Sequence, residues 1–281
     1  MGHSDYCGGF EAAEPASPAP ALWCGCDLAR ATTAVVLAAG QSTRLCLSTG
    51  NGHVAKPLTP VAGTPLVVRA LRTLWNQGIQ RAIVVTGCAA DAVEAGIRQS
   101  RAVAGLDVRF VRNTAWQLQN GLSVLAARPL VGDAPFLLAM ADHLYCGSIV
   151  AALRGAPVRE ATAVLAVERR IETVRDVEAA ARVRTDPHGR IRTIGMGLLE
   201  FDAVDTGIML CRPALFDILE QERSQRGGDC SLGDAIRRLA SHGRAFAVDT
   251  PAHAWWHHVD TPADLRLAEV SVTLGLAMVF R

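Results

Sequence analysis

Two basic side chains lie in a polar loop near the start of the chain. Residues 35–58, VVLAAGQSTRLCLSTGNGHVAKPL, run from an apolar stretch into Gly, Ser and Thr residues, with Arg44 inside the loop and Lys56 at its end. Small residues let the main chain approach a phosphate closely, Arg offers a planar fork for bidentate contact, and Lys offers a compact charge. This combination predicts a triphosphate-binding loop that Arg44 and Lys56 close from two sides.

Other phosphate-binding loops do not match this segment. The P-loop pattern G-x-x-x-x-G-K-[ST] is absent, and the dinucleotide fingerprint needs three glycines where this segment has Gly40 followed by Ser42. The alternative is a flexible loop with unrelated charges.

Two aspartates follow predicted strands and are candidates for binding a divalent cation. Asp142 comes after APFLLAMA, and Asp260 comes after WWHHV. Mg²⁺ prefers oxygen ligands, one or two carboxylates being sufficient. Either Asp could instead cap the next helix, most plausibly Asp260, which precedes TPADL. A zinc site at His257 and His258 is disfavoured, because adjacent residues of a strand face opposite sides.

Two further segments have polar residues in informative places. Asn120-Gly121-Leu122-Ser123 lies between a predicted strand and a predicted helix, where an amide side chain and main-chain groups can contact the edge of a base. Alternatively, Asn120 only caps its helix. Asp205 and Thr206 lie in the strand-like run AVDTGIML, and a charge inside an apolar run is explained if it faces a cleft.

The elements that would position these residues form an α/β pattern. Between residues 33 and 140, short β-branched runs alternate with helical patterns, which predicts a parallel sheet covered on both faces. After about residue 160 the strand-like runs come closer together, with a turn signal at DPHGR, so antiparallel pairing enters. The predicted fold class is α/β, with a mixed, mostly parallel central sheet and helices on both faces.

Composition limits the classes of partner. With 28 basic and 27 acidic residues among 281, the net charge of +1 gives no broad field for capturing nucleic acid or a membrane surface. Eight cysteines without paired spacing, and no leader-like start, predict a cytoplasmic protein. The apolar C-terminal stretch is too short to span a bilayer. Residues 1–30, rich in Ala, Pro and Gly, are predicted to be a flexible arm.

Several motifs together carry a family resemblance. LAAGQSTRL followed by KPL resembles the signature of the GT-A-like sugar-nucleotidyltransferase superfamily, and the similarity extends over residues 33–270. NGLSVLAA, LLAMADHLY, EFDAVDTGIML and WWHHVDTPADLRLA resemble the CTP:inositol-1-phosphate cytidylyltransferases and the phosphonate cytidylyltransferases, including the domain of fosfomycin biosynthesis. The resemblance implies a Rossmann-like, GT-A-type fold and transfer of CMP from CTP to a small phosphate or phosphonate, with release of pyrophosphate.

The resemblance also implies a domain organisation. Residues 31–281 form a single domain, with a nucleotide-binding part at about 31–155, an acceptor-binding part at about 156–260 and a C-terminal helix at about 262–278. This domain organisation is also compatible with fusion of the chain to a further catalytic domain beyond residue 281. A glycosyltransferase of similar architecture would require a D-x-D pair, and the chain has ADHLY around Asp142. A further alternative is a protein that binds CTP without turning it over.

The resemblance assigns roles residue by residue. Arg44 and Lys56 are catalytic, and Asp142 and Asp260 bind Mg²⁺. The acceptor contacts are Arg182, Asp205 and Thr206. The nucleotide contacts, including pyrimidine recognition around Asn120, are Leu37, Ala38, Ala39, Gly40, Ser42, Thr43, Asn120, Gly121, Ser123 and Ala141.

The chain departs from the family pattern at three positions, the first being Gln119 before the predicted base-recognition turn, where the family commonly has Gly. His258 stands where the family usually has Asp, so that the second metal contact depends on Asp260. Met196 stands where the inositol enzymes typically have Lys, which predicts a different acceptor. The expected acceptor is 2-hydroxyethylphosphonate, with inositol-1-phosphate as the alternative.

Overall fold

The computed structural model describes residues 28–41, 45, 55–156, 158 and 160–279. Three predicted site residues, Ser42, Thr43 and Arg44, lie outside the described residues, as does the predicted arm up to residue 27. Leu28 is buried in the core, so the packed structure begins before the predicted boundary at residue 30.

The strands and helices follow the predicted order. The strands are β1 Thr33–Ala38, β2 Pro60–Val61, β3 Thr64–Pro65, β4 Arg81–Thr86, β5 Asp107–Arg112, β6 Phe136–Met140, β7 His143–Tyr145, β8 Ala163–Glu168, β9 Arg182–Thr185, β10 Ile191–Gly195, β11 Ala203–Cys211, β12 Ala245–Asp249 and β13 Trp256–His258. The α-helices are α1 Leu66–Asn76, α2 Ala90–Gln99, α3 Gly121–Ala126, α4 Arg128–Val131, α5 Gly147–Gly155, α6 Ala214–Gln225, α7 Leu232–Ser241 and α8 Pro262–Val279. A short 3₁₀ turn at Lys56–Leu58 carries the loop lysine.

One large sheet joins both halves of the chain. Its first half is parallel, in the order β6-β1-β4-β5, with Leu37 of β1 opposite Met140 of β6. The long strand β11 runs antiparallel to β6 and connects the sheet to β8, β9, β10 and β12. The predicted mixed α/β sheet is confirmed. Because the predicted nucleotide and acceptor parts share this sheet, we propose that they form a single domain.

Alternating residues of each strand pack into two cores. On one face Val36 and Val84 contact α1, α2 and α5, and on the other Val35 and Ile83 contact α3, α6 and α7. Side chains alternate across a strand, so β1 is buried at every residue when both faces are covered. The predicted helices on both faces are confirmed.

A third, smaller core supports the sheet edge where the site lies. Strands β7 and β13 pair with each other, and Leu144 and Val259 pack there against Ala268 and Val272 of α8. Thr261 and Asp264 exchange hydrogen bonds at the start of α8, which agrees with the predicted C-terminal helix. None of the helices in the described part of the chain combines the length and the apolar character needed to cross a membrane.

Candidate active site

Lys56 lies between the two predicted metal-binding aspartates. Its Nζ donates to Asp142 Oδ2 at 2.6 Å and also to Asp260 Oδ1. The three residues are far apart in sequence, and the Lys56 side chain is only 9% exposed. The sequence predicted the types and roles of these residues, and the structure brings all three together in one cluster.

Strand ends and a short sheet hold the two carboxylates together. Asp142 follows β6, where the Ala141 N–H donates to Leu37 O of the neighbouring β1. The Val259 N–H donates to Asp142 O, and β13 pairs with β7 so that His258 lies opposite His143. Asp260 follows Val259, two residues after the end of β13, and its carboxylate lies beside that of Asp142, because both contact Lys56.

The alternative role as a helix cap does not apply to Asp142, and the capping contacts that the structure describes for α8 come from residues other than Asp260. The capping contacts of α8 come from Thr261 and Asp264, whereas the Asp260 carboxylate contacts Lys56 and His258. The next helix after Asp142, α5, has Cys146 at its N-cap. Both Asp side chains are therefore committed to the cluster around Lys56.

Two histidines border the cluster. His258 Nε2 lies 3.3 Å from Asp260 Oδ2 and 3.6 Å from Asp142 Oδ2. The His143 ring stands edge-on to that of His258, with ring centroids 4.7 Å apart. His257 instead hydrogen bonds to Ser271 of α8 at 2.7 Å, which agrees with the prediction that adjacent histidines face different sides.

The charges in the cluster stabilise one another. Burial alone raises the pKa of the Asp142 carboxyl, but the Lys56 ammonium and His258 outweigh it and hold that pKa well below its usual range. Burial lowers the pKa of Lys56, but Asp142 and Asp260 outweigh burial and raise it above the ordinary value. Burial also lowers the pKa of His143 to about 4. At neutral pH the cluster therefore contains an ammonium, ionised Asp142 and a neutral His143 ring.

The cluster fits a divalent cation. Asp142 and Asp260 already share one positive charge, that of the Lys56 ammonium. One donor atom each of Asp142, His143 and His258 also lies within 4.8 Å of the other two, a separation that a single ion can bridge. Asp142, His143 and His258, together with the neighbouring Asp260, are therefore the described residues placed to hold a cation.

The predicted nucleotide edge is mostly main chain. Leu37, Ala38 and Ala39 are buried, and the carbonyls of Leu37 and Ala39 accept from Ala141 and Cys88. Gly40 is exposed, and a Cβ added there would meet no atom within 4 Å. Among the described atoms, the end of β1 therefore leaves open space at Gly40, four residues before Arg44 in the sequence.

The turn at residues 120–123 contains one residue that borders the candidate site and others that hold the turn in place. Asn120 borders the pocket that also contains Asp142 and Asp260. Its Oδ1 accepts from the Leu232 N–H at the start of α7, so Asn120 does not cap its own helix. A Cβ on Gly121 would lie 2.5 Å from Cys230 O, which requires glycine. Ser123 is buried and accepts from Asn113 Nδ2, so its hydroxyl supports the turn, and its contact with a nucleotide stays a prediction.

The pocket continues from the two aspartates toward the second half of the sheet. Trp255 and Trp256 contribute to its wall, and Asp205 borders it with one carboxylate oxygen accepting from the Gly207 N–H. Burial raises the pKa of Asp205 to about 6. Among the described residues no basic side chain pairs with Asp205, so this carboxyl is available to a ligand.

Two predicted acceptor contacts point elsewhere. Thr206 is fully buried and donates to Ala166 O, because it follows Asp205 directly on the strand and faces the other side. Arg182 donates to Leu198 O, pairs with Glu178 and lies over the Phe201 ring. Both side chains therefore have partners within the protein, and their contacts with an acceptor stay predictions.

Two other arginines, Arg170 and Arg175, border the pocket. Arg170 is held by buried Glu168 through paired hydrogen bonds. Arg175 is half exposed, with a single long ion-pair contact to Asp264 of 3.7 Å. Arg175 lies in an irregular segment between 3₁₀ turns, where the sequence has no periodic signal. It is the better placed of the two to contact an anionic acceptor.

Comparisons with known proteins agree with this arrangement. A profile of the MobA-like NTP transferase domain matches residues 34–242. The chain is 39% identical over 247 residues to a bifunctional IPC transferase and DIPP synthase of Rubrobacter xylanophilus, covering 87% of this chain and 52% of that protein. It is 30% identical over 253 residues to the CMP-5'-(3-aminopropyl)phosphonate synthase of Streptomyces rubellomurinus, covering 84% and 38%. The chain thus spans about half the length, or less, of these curated relatives.

A solved structure shows the same fold. The inositol-1-phosphate CTP transferase from T. maritima superposes with a TM-score of 0.74 at 25% identity, covering 85% of this chain and 94% of that one. A UDP-glucose pyrophosphorylase complexed with UDP-glucose superposes with a TM-score of 0.71 at 17% identity.

Proposed function

The chain belongs to the MobA-like NTP transferase family, and on that premise we propose that it transfers CMP from CTP to a small phosphate or phosphonate acceptor, with release of pyrophosphate. The resemblance to this superfamily that the sequence predicted is confirmed, and with it the classification as a nucleotidyltransferase. The choice of CTP is supported by the solved inositol-1-phosphate CTP transferase and by the CMP-phosphonate synthase among the relatives.

The observation that carries this proposal is the cluster of Lys56, Asp142 and Asp260 at the carboxyl edge of the parallel strands. Ligands of open α/β sheets bind outside this edge. Lys56 places a positive charge there, and the two carboxylates can hold a divalent cation, for which Mg²⁺ is the sequence-based expectation. Such a cation, when bound, neutralises phosphate oxygens as charge shifts to the leaving pyrophosphate.

The residues then act by position and charge. An acceptor phosphate or phosphonate oxygen is already anionic near neutral pH, so in-line attack on the α-phosphorus of CTP needs no general base. Lys56 would contact the phosphates of CTP on leaving the two carboxylates, with Arg44 on the other side of the loop. Main chain near Gly40 would line the phosphates, and Asn120 would face the base through its remaining amide donors.

The acceptor pocket supports a polyhydroxylated acceptor. Asp205 and Asp176 offer carboxylate oxygens that accept from hydroxyls, and Trp255 and Trp256 offer flat apolar faces for ring C–H groups. Arg175 supplies an anion contact. This lining suits inositol-1-phosphate, the substrate after which the solved CTP transferase from T. maritima is named.

The sequence-based expectation that the acceptor is 2-hydroxyethylphosphonate depended on Met196, and the position of Met196 in the structure weakens that expectation. Met196 is 54% exposed and does not border the pocket. 2-Hydroxyethylphosphonate and an aminoalkylphosphonate stay as alternative acceptors, the second because a relative carries that chemistry in its name. A cytoplasmic location, the absence of nucleic-acid and membrane partners, and a further catalytic domain in a longer protein are likewise proposals.

One assay tests the proposal. The protein is mixed with CTP, a divalent cation and each candidate acceptor, pyrophosphate is measured, and mass spectrometry identifies CMP adducts. We expect acceptor-dependent pyrophosphate release with CTP and a CDP-inositol product from inositol-1-phosphate. A protein that only binds CTP would release no pyrophosphate with any acceptor.

A further inference from the structure

The geometry points to His258 as a nitrogen ligand of the cation held by Asp142 and Asp260, which makes the site select Mn²⁺ or Co²⁺ over Mg²⁺. This inference rests on the proposed function, because it concerns the cation of the same site. It adds a specific residue and a metal preference to that function.

The first support is the position of His258. Antiparallel pairing of β13 with β7 places His258 opposite His143, the residue that follows Asp142, and Asp260 lies two residues after His258. His258 Nε2 lies 3.3 Å from Asp260 Oδ2 and 3.6 Å from Asp142 Oδ2, so one nitrogen faces both carboxylates. An ion bound between these oxygens is within reach of the same nitrogen.

The second support is that both carboxylates already converge on one cation. Lys56 Nζ contacts Asp142 and Asp260 together, which shows that their oxygens are oriented toward a common point. His258 borders that point from the β13 side. Two carboxylates and an imidazole therefore surround a common cation position.

The metal preference follows from the donor set. Mg²⁺ takes oxygen ligands in near-ideal octahedral geometry and rarely uses imidazole, whereas imidazole and carboxylate together suit Mn²⁺, Co²⁺ and other first-row ions. Replacing an oxygen donor by a neutral nitrogen also lowers the negative charge on which Mg²⁺ binding depends. The site therefore favours the first-row ions.

The chain contains a matched control next to the proposed ligand. His257 is also a histidine of β13, but its ring nitrogen bonds Ser271 Oγ at 2.7 Å. His257→Asn removes one imidazole from the same strand without touching the carboxylate pair. His258→Asn removes the proposed ligand, and His258→Asp replaces nitrogen by oxygen.

The test measures metal binding directly. Mn²⁺ is titrated into the full chain by electron paramagnetic resonance, Mg²⁺ is added in competition, and pulsed spectra are examined for modulation from a coordinated ¹⁴N nucleus. We expect nitrogen modulation in the wild type and in His257→Asn, and its loss in both His258 variants. In His258→Asp, the preference for Mn²⁺ over Mg²⁺ should fall by about tenfold.

Each other outcome contradicts the inference. Nitrogen modulation that persists in His258→Asn would assign the ligand to another residue, His143 being nearest, and an unchanged metal preference in His258→Asp would remove His258 from selectivity. Thermal unfolding of each variant checks that it is folded. Nitrogen-coordinated Mn²⁺ without pyrophosphate release from CTP would uphold this inference and refute the proposed function, so the two failures are distinguishable.

Discussion

Lys56 Nζ lies 2.6 Å from Asp142 Oδ2 and bonds Asp260 as well, so one ammonium occupies the position between the two carboxylates. Lys56 is also the only lysine of the chain, and the other residues of the Lys and Arg types are all arginines. A compact ammonium can leave the carboxylates for a phosphate more easily than a planar guanidinium held by paired bonds. A divalent cation held by these carboxylates would therefore compete with Lys56 for the same oxygens.

Lys56→Met should separate metal binding from turnover. Without the competing ammonium, the carboxylates should bind Mn²⁺ more tightly than in the wild type, while pyrophosphate release from CTP falls by about 10²–10³-fold. In metal-free buffer the variant should lose roughly 2 kcal/mol of unfolding free energy, less than for a fully buried pair because Asp142 is 30% exposed. Calorimetric titration and chemical denaturation measure these changes.

The single lysine provides an internal check on that prediction. Isotope-labelled lysine gives one side-chain resonance in the wild type, which we expect to shift when CTP and the divalent cation are added together. Normal turnover in Lys56→Met, or a lysine resonance that CTP leaves unchanged, would remove Lys56 from the mechanism.

Asp205→Asn should change how stability depends on pH. The folded pKa of Asp205, about 6, exceeds its ordinary value, so the folded state binds more protons and wild-type stability falls as pH rises from about 4 to 6. The amide keeps an acceptor for the Gly207 N–H and has no charge to bury. The variant should therefore gain about 3 kcal/mol over the wild type well above pH 6 and little at pH 4.

Chemical denaturation at pH 4, 6 and 8 checks this effect. A gain that is equal at all three values would mean that Asp205 does not titrate in this range. A gain at pH 4 alone would contradict the sign.

Gly207→Ala should disturb the site through His143. Gly207 has φ +77°, and a Cβ there would overlap His143 Nδ1, next to Asp142. We expect a loss of about 2 kcal/mol or more in stability together with lower turnover. Gly132→Ala is the matched control, because Gly132 has a similar φ of +71° and no atom close to an added Cβ. The stability lost in this variant measures the cost of the positive φ alone. Equal losses in the two variants would mean that His143 yields without cost.

Arg175→Gln should raise the KM for the acceptor by about tenfold, or ~1.4 kcal/mol, and leave the KM for CTP unchanged. Arg175 borders the pocket with only a 3.7 Å contact to Asp264 and can turn toward an anion. Arg192→Gln is the control, because Arg192 pairs with Asp186 outside the pocket. An unchanged acceptor KM in Arg175→Gln, measured by initial rates, would exclude this contact.

The sequence was sufficient for the sheet and for the position of Asp142 at its edge. Continuous apolar runs identify strands buried on both faces, and an aspartate at the end of such a run must lie at the sheet edge, as Asp142 does. That Lys56 touches both aspartates depends on pairing across long sequence separations, which local patterns do not encode. The adjacent residues Asp205 and Thr206 could have been separated from the sequence alone, since neighbours on a strand face opposite sides.

The acceptor side was less predictable for physical reasons. Arg182 was assigned through the resemblance, but its direction depends on Leu198 O and Phe201, which come from a distant turn. Arg175 lies in an irregular segment without periodicity, so no pattern marks it. The Trp255-Trp256 pair was a visible signal of an aromatic wall, although no role was predicted for it.

The central claim is that Asp142 and Asp260 hold the cation that CMP transfer from CTP requires. The most direct measurement is acceptor-dependent pyrophosphate release in Asp142→Asn and Asp260→Asn, with Asp186→Asn as a folded control outside the site. We predict that each site variant stays folded and loses at least about 10²-fold in turnover, while Asp186→Asn keeps wild-type activity. Wild-type rates in both folded site variants would contradict the claim.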